Sequence, residues 1–315
     1  PVPPPASARA LVFGRMALIV TVGSWAAYVV VVTGRRVFLD EAVSVRSTLE
    51  AVGYVVLVTF LMLSAVAYLI ARQGYLRRTR SHVRTPRAEL EAHFEHRRPT
   101  VTVLVPSYRE QPEVILQTVL SAALQEFGQL RVVLLIDGPP APRSPTDQDL
   151  LDDARALPRT VAAMLEGPRA RFSVALDLAS LMALDHTEAT VADLESLAAD
   201  YEHAVQWIEG IVATWTSHDH TDDFVVDHIL RVLGHDLAVV AAAIGGAVLH
   251  RSTMSMDRVV QLQRRLATIF TAELGSFERK RYLNLSAEPN KAMNLNAYLG
   301  LMGRHFHEQV TSAGT

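Results

Sequence analysis

The segment "TVTVLVPSYRE" at residues 100–110 is a β-branched apolar run that ends in a proline and a polar turn. This pattern predicts a buried strand that delivers a loop. "EVILQTVLSAALQEF" (113–127) follows with apolar residues at helical spacing, and "QLRVVLLIDGPPAP" (129–142) is a second apolar run. An uninterrupted run is typical of a strand covered on both faces, as in parallel sheets. Strand, helix and strand together predict a right-handed βαβ unit.

The polar residues that end both predicted strands are candidates for ligand binding. Ligands of open parallel sheets bind beyond the carboxyl ends of the strands, where residues 107–110 and Asp137 fall. A carboxylate there can accept hydrogen bonds from a base or a sugar, and the Tyr108 ring offers a face for stacking. Periodicity alone leaves an alternative open, in which Asp137 belongs to a simple turn and Tyr108 only packs.

Two charge-free apolar runs, residues 16–33 and 51–71, precede this unit. Each has about 18 to 21 residues, enough at ~1.5 Å per residue to cross a hydrocarbon core of ~30 Å. They predict a two-span transmembrane hairpin, the alternative being two buried core helices.

Arginines surround the second predicted span asymmetrically. The connecting loop mixes Arg35, Arg36 and Arg46 with Asp40, Glu41 and Glu50. A basic collar without acidic residues follows the second span, formed by Arg72, Arg77, Arg78, Arg80, Arg84 and Arg87. The positive-inside rule therefore predicts a multi-pass protein of the inner (cytoplasmic) membrane, with both the N-terminus and the soluble part in the cytoplasm. The collar could also bind anionic lipid headgroups.

Composition excludes several classes of site. The 315 residues contain no cysteine, which rules out disulfide frameworks, zinc knuckles, iron–sulfur clusters and thiol nucleophiles. A net charge of -3 argues against a nucleic-acid partner, because such binders usually carry a basic excess. The chain does not begin with Met, and we expect it to be an N-terminal fragment.

Three segments resemble one enzyme family in their amino-acid sequence and in their order along the chain. They are "VTVLVPSYREQPEVILQTVLSAALQ" (101–125), "VVLLIDG" (132–138) and "NKAMNLNAYLG" (290–300). Together they look like the opening motifs of the inverting, membrane-embedded family 2 glycosyltransferases, which include cellulose synthase and hyaluronan synthase. The resemblance implies the GT-A fold, a Rossmann-like α/β fold that binds a nucleotide sugar.

The resemblance also implies roles for individual residues. Arg109 stands where the family usually has Asn, and Ile136 stands where it has the first Asp of Asp-Asp-Gly, which leaves the identity of the base open. The implied site residues are Ser107, Tyr108, Glu110 and Asp137 for the uridine of a UDP-sugar, and Lys291 for its diphosphate.

Other family motifs are missing from these 315 residues. The family next has an Asp-x-Asp that holds Mg²⁺ or Mn²⁺, then a catalytic aspartate, then Gln-x-x-Arg-Trp in processive members. We expect all three beyond residue 315, so the catalytic base is unknown, no metal site is expected here, and the fragment alone is expected to be inactive. Asp147-Gln148-Asp149 has the metal-binding spacing, but its context predicts a helix start, where acids favour the N-terminal dipole.

Lys280 and Lys291 are the only lysines among 30 basic residues. Lys291 lies between the predicted third strand, "RYLNLSAEP" (281–289), and a predicted helix, at a junction that favours anions. Lysine and arginine are not equivalent at a phosphate site. We therefore expect Lys291→Arg to weaken nucleotide binding, whereas Lys280 is interpreted as a chance surface lysine whose replacement is nearly silent.

A long insertion separates the second strand from the third. Its pattern predicts helices at 147–157, 188–216, 222–249 and 257–277, and the apolar run 237–249 is too short to span a membrane. Its role stays open between a regulatory lid, a partner-docking module and an oligomerisation element.

Histidines and acids cluster within this insertion. The cluster comprises His218, His220, Asp222, Asp223, Asp227, His228, His235 and Asp236. Its spacing matches no metal site. Thr221 reads as a helix N-cap, and His228 and His235 lie on the face opposite the apolar stripe, which predicts a solvated polar face. A metal-dependent phosphohydrolase site and a pH-sensitive docking surface remain alternatives.

The predicted architecture is an α/β protein: an incomplete GT-A nucleotide-binding half with a large all-helical insertion, preceded by two transmembrane helices. The predicted function is transfer of a sugar from a nucleotide-sugar donor to a glycan, a lipid-linked or another hydroxyl acceptor, with a divalent cation in the full-length protein. The alternative is a two-span helical signalling or scaffold protein without catalytic activity. The predicted segments are 1–15 (disordered lead), 16–71 (transmembrane hairpin), 72–99 (basic cytoplasmic linker), 100–138 (first part of the GT-A domain), 139–279 (helical insertion) and 280–315 (continuation of the GT-A domain).

Overall fold

The chain divides into two compact units, Pro1–Leu90 and Glu91–Thr315. The computed structural model describes residues 5–38, 45–83, 85–86, 89–90, 92–93, 99–288 and 290–310. Predictions that concern residues 1–4, Asp40, Glu41, Arg84 and Arg87 lie outside the described residues.

In its described residues, the first unit contains two long helices, α1 (Ala8–Phe38) and α2 (Val45–Ser81). Both are long and apolar enough to cross a membrane. They run well past the apolar segments 16–33 and 51–71, because arginine is a good helix former and does not end a helix. The prediction of a disordered lead is therefore wrong from Ala8 onward, and the first part of the basic collar is helical.

Polar contacts join α1 to α2 at two heights. The buried Gln73 side chain donates from Nε2 to the carbonyl of Leu11 at 3.0 Å, and Trp25 Nε1 donates to Thr59 Oγ1 at 3.1 Å. Gly14 gives Gln73 its space, since a Cβ at this position would lie 2.3 Å from Gln73 Nε2. Small residues and interhelical hydrogen bonds of this kind hold helix pairs together in lipid.

The second unit contains a three-stranded parallel sheet, which is consistent with the predicted α/β class and includes the predicted parallel β-α-β unit. Strand β1 (Val101–Ser107) is followed by helix α3 (Pro112–Ala123) and strand β2 (Leu130–Ile136), and the strand order is β1-β2-β3. Six of the seven β2 residues belong to the buried apolar core, on both faces of the strand, as an uninterrupted apolar run predicts. In register, Ser107 pairs with Ile136, which pairs with Glu278, so the three strands end level with one another.

The third strand lies earlier than the sequence predicts. Strand β3 is Glu273–Glu278, a stretch expected to be helical, whereas residues 281–289 contain no strand among those described. The preceding helix ends at Ile269. Strand β3 is short, contains Gly275 and Ser276, and is only partly buried, so it lacks the apolar signature by which β1 and β2 were recognised.

The segment between β2 and β3 is helical, as predicted. Its elements are α4 (Pro145–Asp185), α5 (Val191–Thr214), α6 (His220–Val225), a π-helical turn (Val226–Leu230), α7 (Arg231–Leu249) and α8 (Met256–Ile269). Helix α4 is far longer than the predicted 147–157, because it continues through Pro158 and Pro168. Both prolines are buried, so packing against the core offsets the cost of an interior proline.

Aromatic side chains from three elements fill the helical core. The Phe270 ring lies 5.1 Å from the rings of both Phe172 and Trp207, and Tyr201 donates its hydroxyl to the carbonyl of Leu262 at 3.0 Å.

The continuous run His220–Leu249 is a third helix long and apolar enough to span a membrane. The expectation that residues 237–249 are too short considered only part of this run and is corrected here. Within the second unit its Leu237, Ala241 and Ile244 are buried.

Candidate functional site

The loop after β1 is held in shape by one carboxylate. Glu110 Oε2 accepts a hydrogen bond from Ser107 Oγ at 2.6 Å and another from the backbone N–H of Tyr108. Ser107 is buried, whereas the Tyr108 ring is 48% exposed. Ser107 and Glu110 therefore form the frame of the loop, and the Tyr108 ring is the side chain that the loop presents.

Arg109 has an unusual backbone conformation in this loop, with a φ of 58°. Residues with a Cβ rarely adopt this left-handed region, and Asn tolerates it better than Arg. Arg109 forms an ion pair with Asp147 at 3.2 Å, and its guanidinium lies 5.4 Å from the centre of the Tyr108 ring. These contacts explain how an arginine is kept at this position.

Asp137 follows β2 and is the most heavily paired acid of the region. Its backbone N–H donates to the carbonyl of Ser107 at 2.9 Å, which fixes it beside the β1 loop. Its buried carboxylate accepts a hydrogen bond from Arg279 Nη2 at 2.6 Å and lies 3.5 Å from Lys280 Nζ, which also donates to the Asp137 carbonyl at 2.6 Å. Two cations therefore offset the Asp137 charge.

Arg279 opens a short 3₁₀ turn, Arg279–Arg281, directly after β3. Its side chain is fully buried and also donates to the carbonyls of Ser286 and Glu288. One guanidinium thus joins the end of β2 to the segment that leads into helix α9 (Lys291–Leu301). Because Arg279 satisfies a buried carboxylate and two carbonyls at once, we infer that it is the main structural support of this edge of the sheet.

Helix α9 begins at the same edge. Asn290 caps it by accepting a hydrogen bond from the Ala292 N–H at 2.9 Å, and Lys291 is the first helical residue and is exposed. One turn further, the buried Asn294 donates from Nδ2 to the carbonyl of Leu135 in β2 at 3.0 Å. This hydrogen bond anchors the N-terminal end of α9 on the sheet.

These elements surround a pocket of about 240 Å³. All five residues predicted from the sequence, Ser107, Tyr108, Glu110, Asp137 and Lys291, line it, together with Pro106, Asn290 and Asn294. The five come from three segments separated by up to 184 positions in the numbering of the chain. The pocket combines an exposed aromatic ring, a paired carboxylate and an ammonium at a helix N-terminus.

Lys280 corrects a prediction from the sequence. It is not a chance surface lysine, since its side chain is 10% exposed, binds Asp137 and lies 5.7 Å from the centre of the Tyr108 ring. Lys280, Arg279 and Asn294 are the residues of this region that sequence reasoning missed. The rarity of lysine in the chain is a signal that applies equally to Lys280. No motif surrounds Lys280, so sequence reasoning gave this signal weight only at Lys291.

A second ion pair supports the site from α4. Arg155 donates from Nε and Nη2 to the two oxygens of Glu278 at 2.9 and 2.7 Å, at the end of β3. The hydrogen bonds to Glu278 raise the pKa of Arg155 above its ordinary value. This bidentate geometry fixes the helical insertion to the same sheet edge.

The histidine-rich segment, residues 218–236, is organised differently from the pocket, because its acids pair mainly with groups close to them in sequence. Asp219, not Thr221, is the N-cap of α6, and hydrogen bonds from the backbone N–H groups of Asp222 and Thr221 lower its pKa. The buried Asp222 accepts hydrogen bonds from the His218 N–H at 2.7 Å and from Gln117 of α3. The remaining acids also have partners: Asp223 accepts from Ser217, Asp227 pairs with Arg231, and Asp236 pairs with Arg265.

The residues that the structure describes include no group of three His, Asp or Glu side chains able to hold a metal ion. His228 and His235 are exposed, in agreement with the predicted solvated face. Asp147 lies in the first turn of α4, as predicted from the context of Asp147-Gln148-Asp149. The divalent cation that the family resemblance implies therefore finds no fitting set of ligands in the described part of the chain.

Comparison of the chain with protein-family models, with curated proteins and with solved structures finds no match.

Proposed function

We propose that the pocket at the carboxyl edge of the sheet binds the nucleotide of a nucleotide sugar, with a UDP-sugar as the first candidate. The observation that carries the proposal is the convergence of Ser107, Tyr108, Glu110, Asp137 and Lys291 on one pocket. The motif resemblance implies these same five residues. Parallel α/β sheets bind ligands at this edge, which supports the assignment independently of the motifs.

Each part of the pocket suits one part of a nucleotide diphosphate. The exposed face of Tyr108 offers a stacking surface for the base, which is worth about 1–3 kcal/mol for aromatic platforms. Lys291 brings a cation to the N-terminus of α9, where unpaired N–H groups favour phosphate. The pocket suits an anion even though it contains two acids, because Arg279 and Lys280 pair with Asp137 while Glu110 is occupied by the loop.

In the wider proposal, the chain belongs to an inverting family 2 glycosyltransferase with a GT-A fold. A base would deprotonate an acceptor hydroxyl, which displaces the nucleoside diphosphate at the anomeric carbon with inversion. The acceptor would be a glycan, a lipid-linked or another hydroxyl compound, and the site would face the cytoplasm at the inner membrane. The pocket residues account for donor binding only. They do not supply the catalytic base or the metal ligands that this mechanism requires.

The test is a calorimetric titration of the detergent-solubilised protein with UDP and, separately, with GDP, in buffer that contains Mn²⁺. We expect UDP to bind, and we expect Tyr108→Ala and Lys291→Met each to reduce the affinity about tenfold. Arg281→Ala is the matched control, because Arg281 is an exposed cation of the same turn. Absence of binding to either nucleotide would defeat the proposal and favour the signalling or scaffold alternative.

Asp137→Asn is preferable to Asp137→Ala in this titration. Asparagine keeps the shape of a residue that is 4% exposed, whereas alanine would leave Arg279 and Lys280 without any side-chain partner in a buried site. We expect weaker UDP binding in Asp137→Asn with secondary structure retained in circular dichroism.

A further inference from the structure

Asn294 carries a buried hydrogen-bond acceptor that the fold does not use. The residue is 1% exposed, and its Oδ1 has no hydrogen-bond partner in the described structure. Burying an unpaired polar atom costs roughly 1–3 kcal/mol, so such atoms are rare in native proteins and call for an explanation.

The chemistry of Leu135 fixes which amide atom is left over. The Leu135 carbonyl can only accept a hydrogen bond, so the atom of Asn294 that faces it at 3.0 Å must be Nδ2. The other amide atom is therefore the oxygen Oδ1, which can only accept. A ligand that satisfies it must present an N–H or an O–H.

The position of Asn294 selects the part of the ligand. Asn294 and Lys291 both line the pocket, but Lys291 is exposed at the first residue of α9, while Asn294 lies one turn deeper and is buried against β2. A charged diphosphate is best placed against the exposed cation and the helix N-terminus. An uncharged acceptor at depth suits a neutral donor of the nucleoside.

We propose that Asn294 Oδ1 accepts a hydrogen bond from the nucleoside part of the bound nucleotide and thereby contributes to ligand specificity. The inference rests on the proposed nucleotide site and extends it by a residue and by a requirement on the ligand. The donor is either an N–H of the base or a hydroxyl of the ribose. These two sources share the same chemistry and are separated by the choice of ligand analogue.

The experiment compares UDP with N3-methyl-UDP, which lacks the base N–H, and with 2′-deoxy-UDP and 3′-deoxy-UDP, each of which lacks one ribose hydroxyl. On the wild-type protein we expect one analogue to bind about five- to tenfold more weakly than UDP, the range of one net hydrogen bond. In Asn294→Ala, UDP itself weakens and the same analogue loses no further affinity. Asn296→Ala, an exposed asparagine of the same helix, is the control and should retain the wild-type discrimination.

The outcomes separate the two proposals. If UDP binds but none of the three analogues differs from it on the wild-type protein, the role of Asn294 is refuted without reference to any variant, and the nucleotide site survives. If an analogue is discriminated equally by wild type and Asn294→Ala, the donor meets another acceptor and the assignment is again refuted. If UDP does not bind the wild-type protein, both proposals fail.

Discussion

The sheet-edge pocket and the histidine-rich segment 218–236 both gather polar side chains, yet they use them differently. In the histidine-rich segment, every acid has a partner within the segment or on a neighbouring helix. These contacts cap a helix, join two helices or link residues of one helix. In the pocket, residues from three distant segments converge, and one buried acceptor remains unpaired. Density of polar residues in sequence is therefore a weaker sign of a site than convergence of residues from separate elements.

The largest effect should come from removing the support of the pocket. In Arg279→Ala, the Asp137 carboxylate loses its closest cation and two buried carbonyls lose their donor. We expect a loss of about 3–5 kcal/mol in the free energy of unfolding, the usual cost of breaking a buried pair. Urea unfolding followed by circular dichroism measures it. Arg281→Ala should change stability by no more than about 0.5 kcal/mol, and equal effects of the two variants would contradict the account.

The two lysines should separate stability from binding. Lys280→Met removes a hydrogen bond and an ion pair to Asp137 and should cost about 1.5–3 kcal/mol of stability. Lys291→Met should leave stability within about 0.5 kcal/mol of wild type while weakening UDP binding about tenfold. Parallel unfolding and calorimetric titrations distinguish them. Lys280→Arg should also be destabilising, because a broad guanidinium does not fit the space of a buried ammonium, and a silent Lys280→Arg would show that this contact matters little.

Sequence reasoning predicted the parallel sheet edge because its signals were local. The apolar runs of β1 and β2 and the polar turns after them predicted a parallel edge, and the motif around Lys291 added the third element. It failed at β3, where Gly275 and Ser276 weaken the strand pattern. That error moved Arg279 and Lys280 to the wrong side of the strand and concealed their contacts with Asp137, which lie more than 140 positions away in sequence.

The helical insertion shows a similar limit. Helix α4 was predicted to be short because prolines usually end helices, but burial of Pro158 and Pro168 in the core reverses this local preference. Thr221 and Asp219 are both good capping residues. Only the backbone geometry shows that Asp219, and not the predicted Thr221, is the N-cap. The number of partners that a side chain finds in other elements cannot be read from local patterns.

A moderate effect is expected at the tether of the histidine-rich segment. Asp222→Ala removes the acceptor for the His218 N–H and for Gln117, and should lower the midpoint of urea unfolding less than Arg279→Ala does. His235→Ala, at an exposed position, should be nearly neutral. Unfolding measured with and without Zn²⁺ or Mn²⁺ completes the test, and metal-induced stabilisation that depends on Asp222 and His235 would favour the phosphohydrolase alternative.

The smallest effect concerns pH. Backbone N–H groups lower the pKa of Asp219 in the folded state, so its contribution to stability is fully present above the unfolded pKa of about 3.9 and is lost as pH falls through the folded pKa. Asn is an equally good cap without a charge. The stability advantage of wild type over Asp219→Asn should therefore shrink between pH 5 and pH 3 in unfolding measurements, and an advantage that grows on acidification would contradict the assignment.

Photoaffinity labelling with 5-azido-UDP compares the two regions within one experiment. After irradiation of the solubilised protein, peptide mass spectrometry locates the label, and excess UDP serves as competitor. We expect labelling that excess UDP prevents within residues 106–110, at residue 137 or within residues 290–294. We expect no such labelling within residues 218–236. Labelling that UDP does not displace, or competed labelling confined to residues 218–236, would contradict the central claim that the sheet-edge pocket is the nucleotide site.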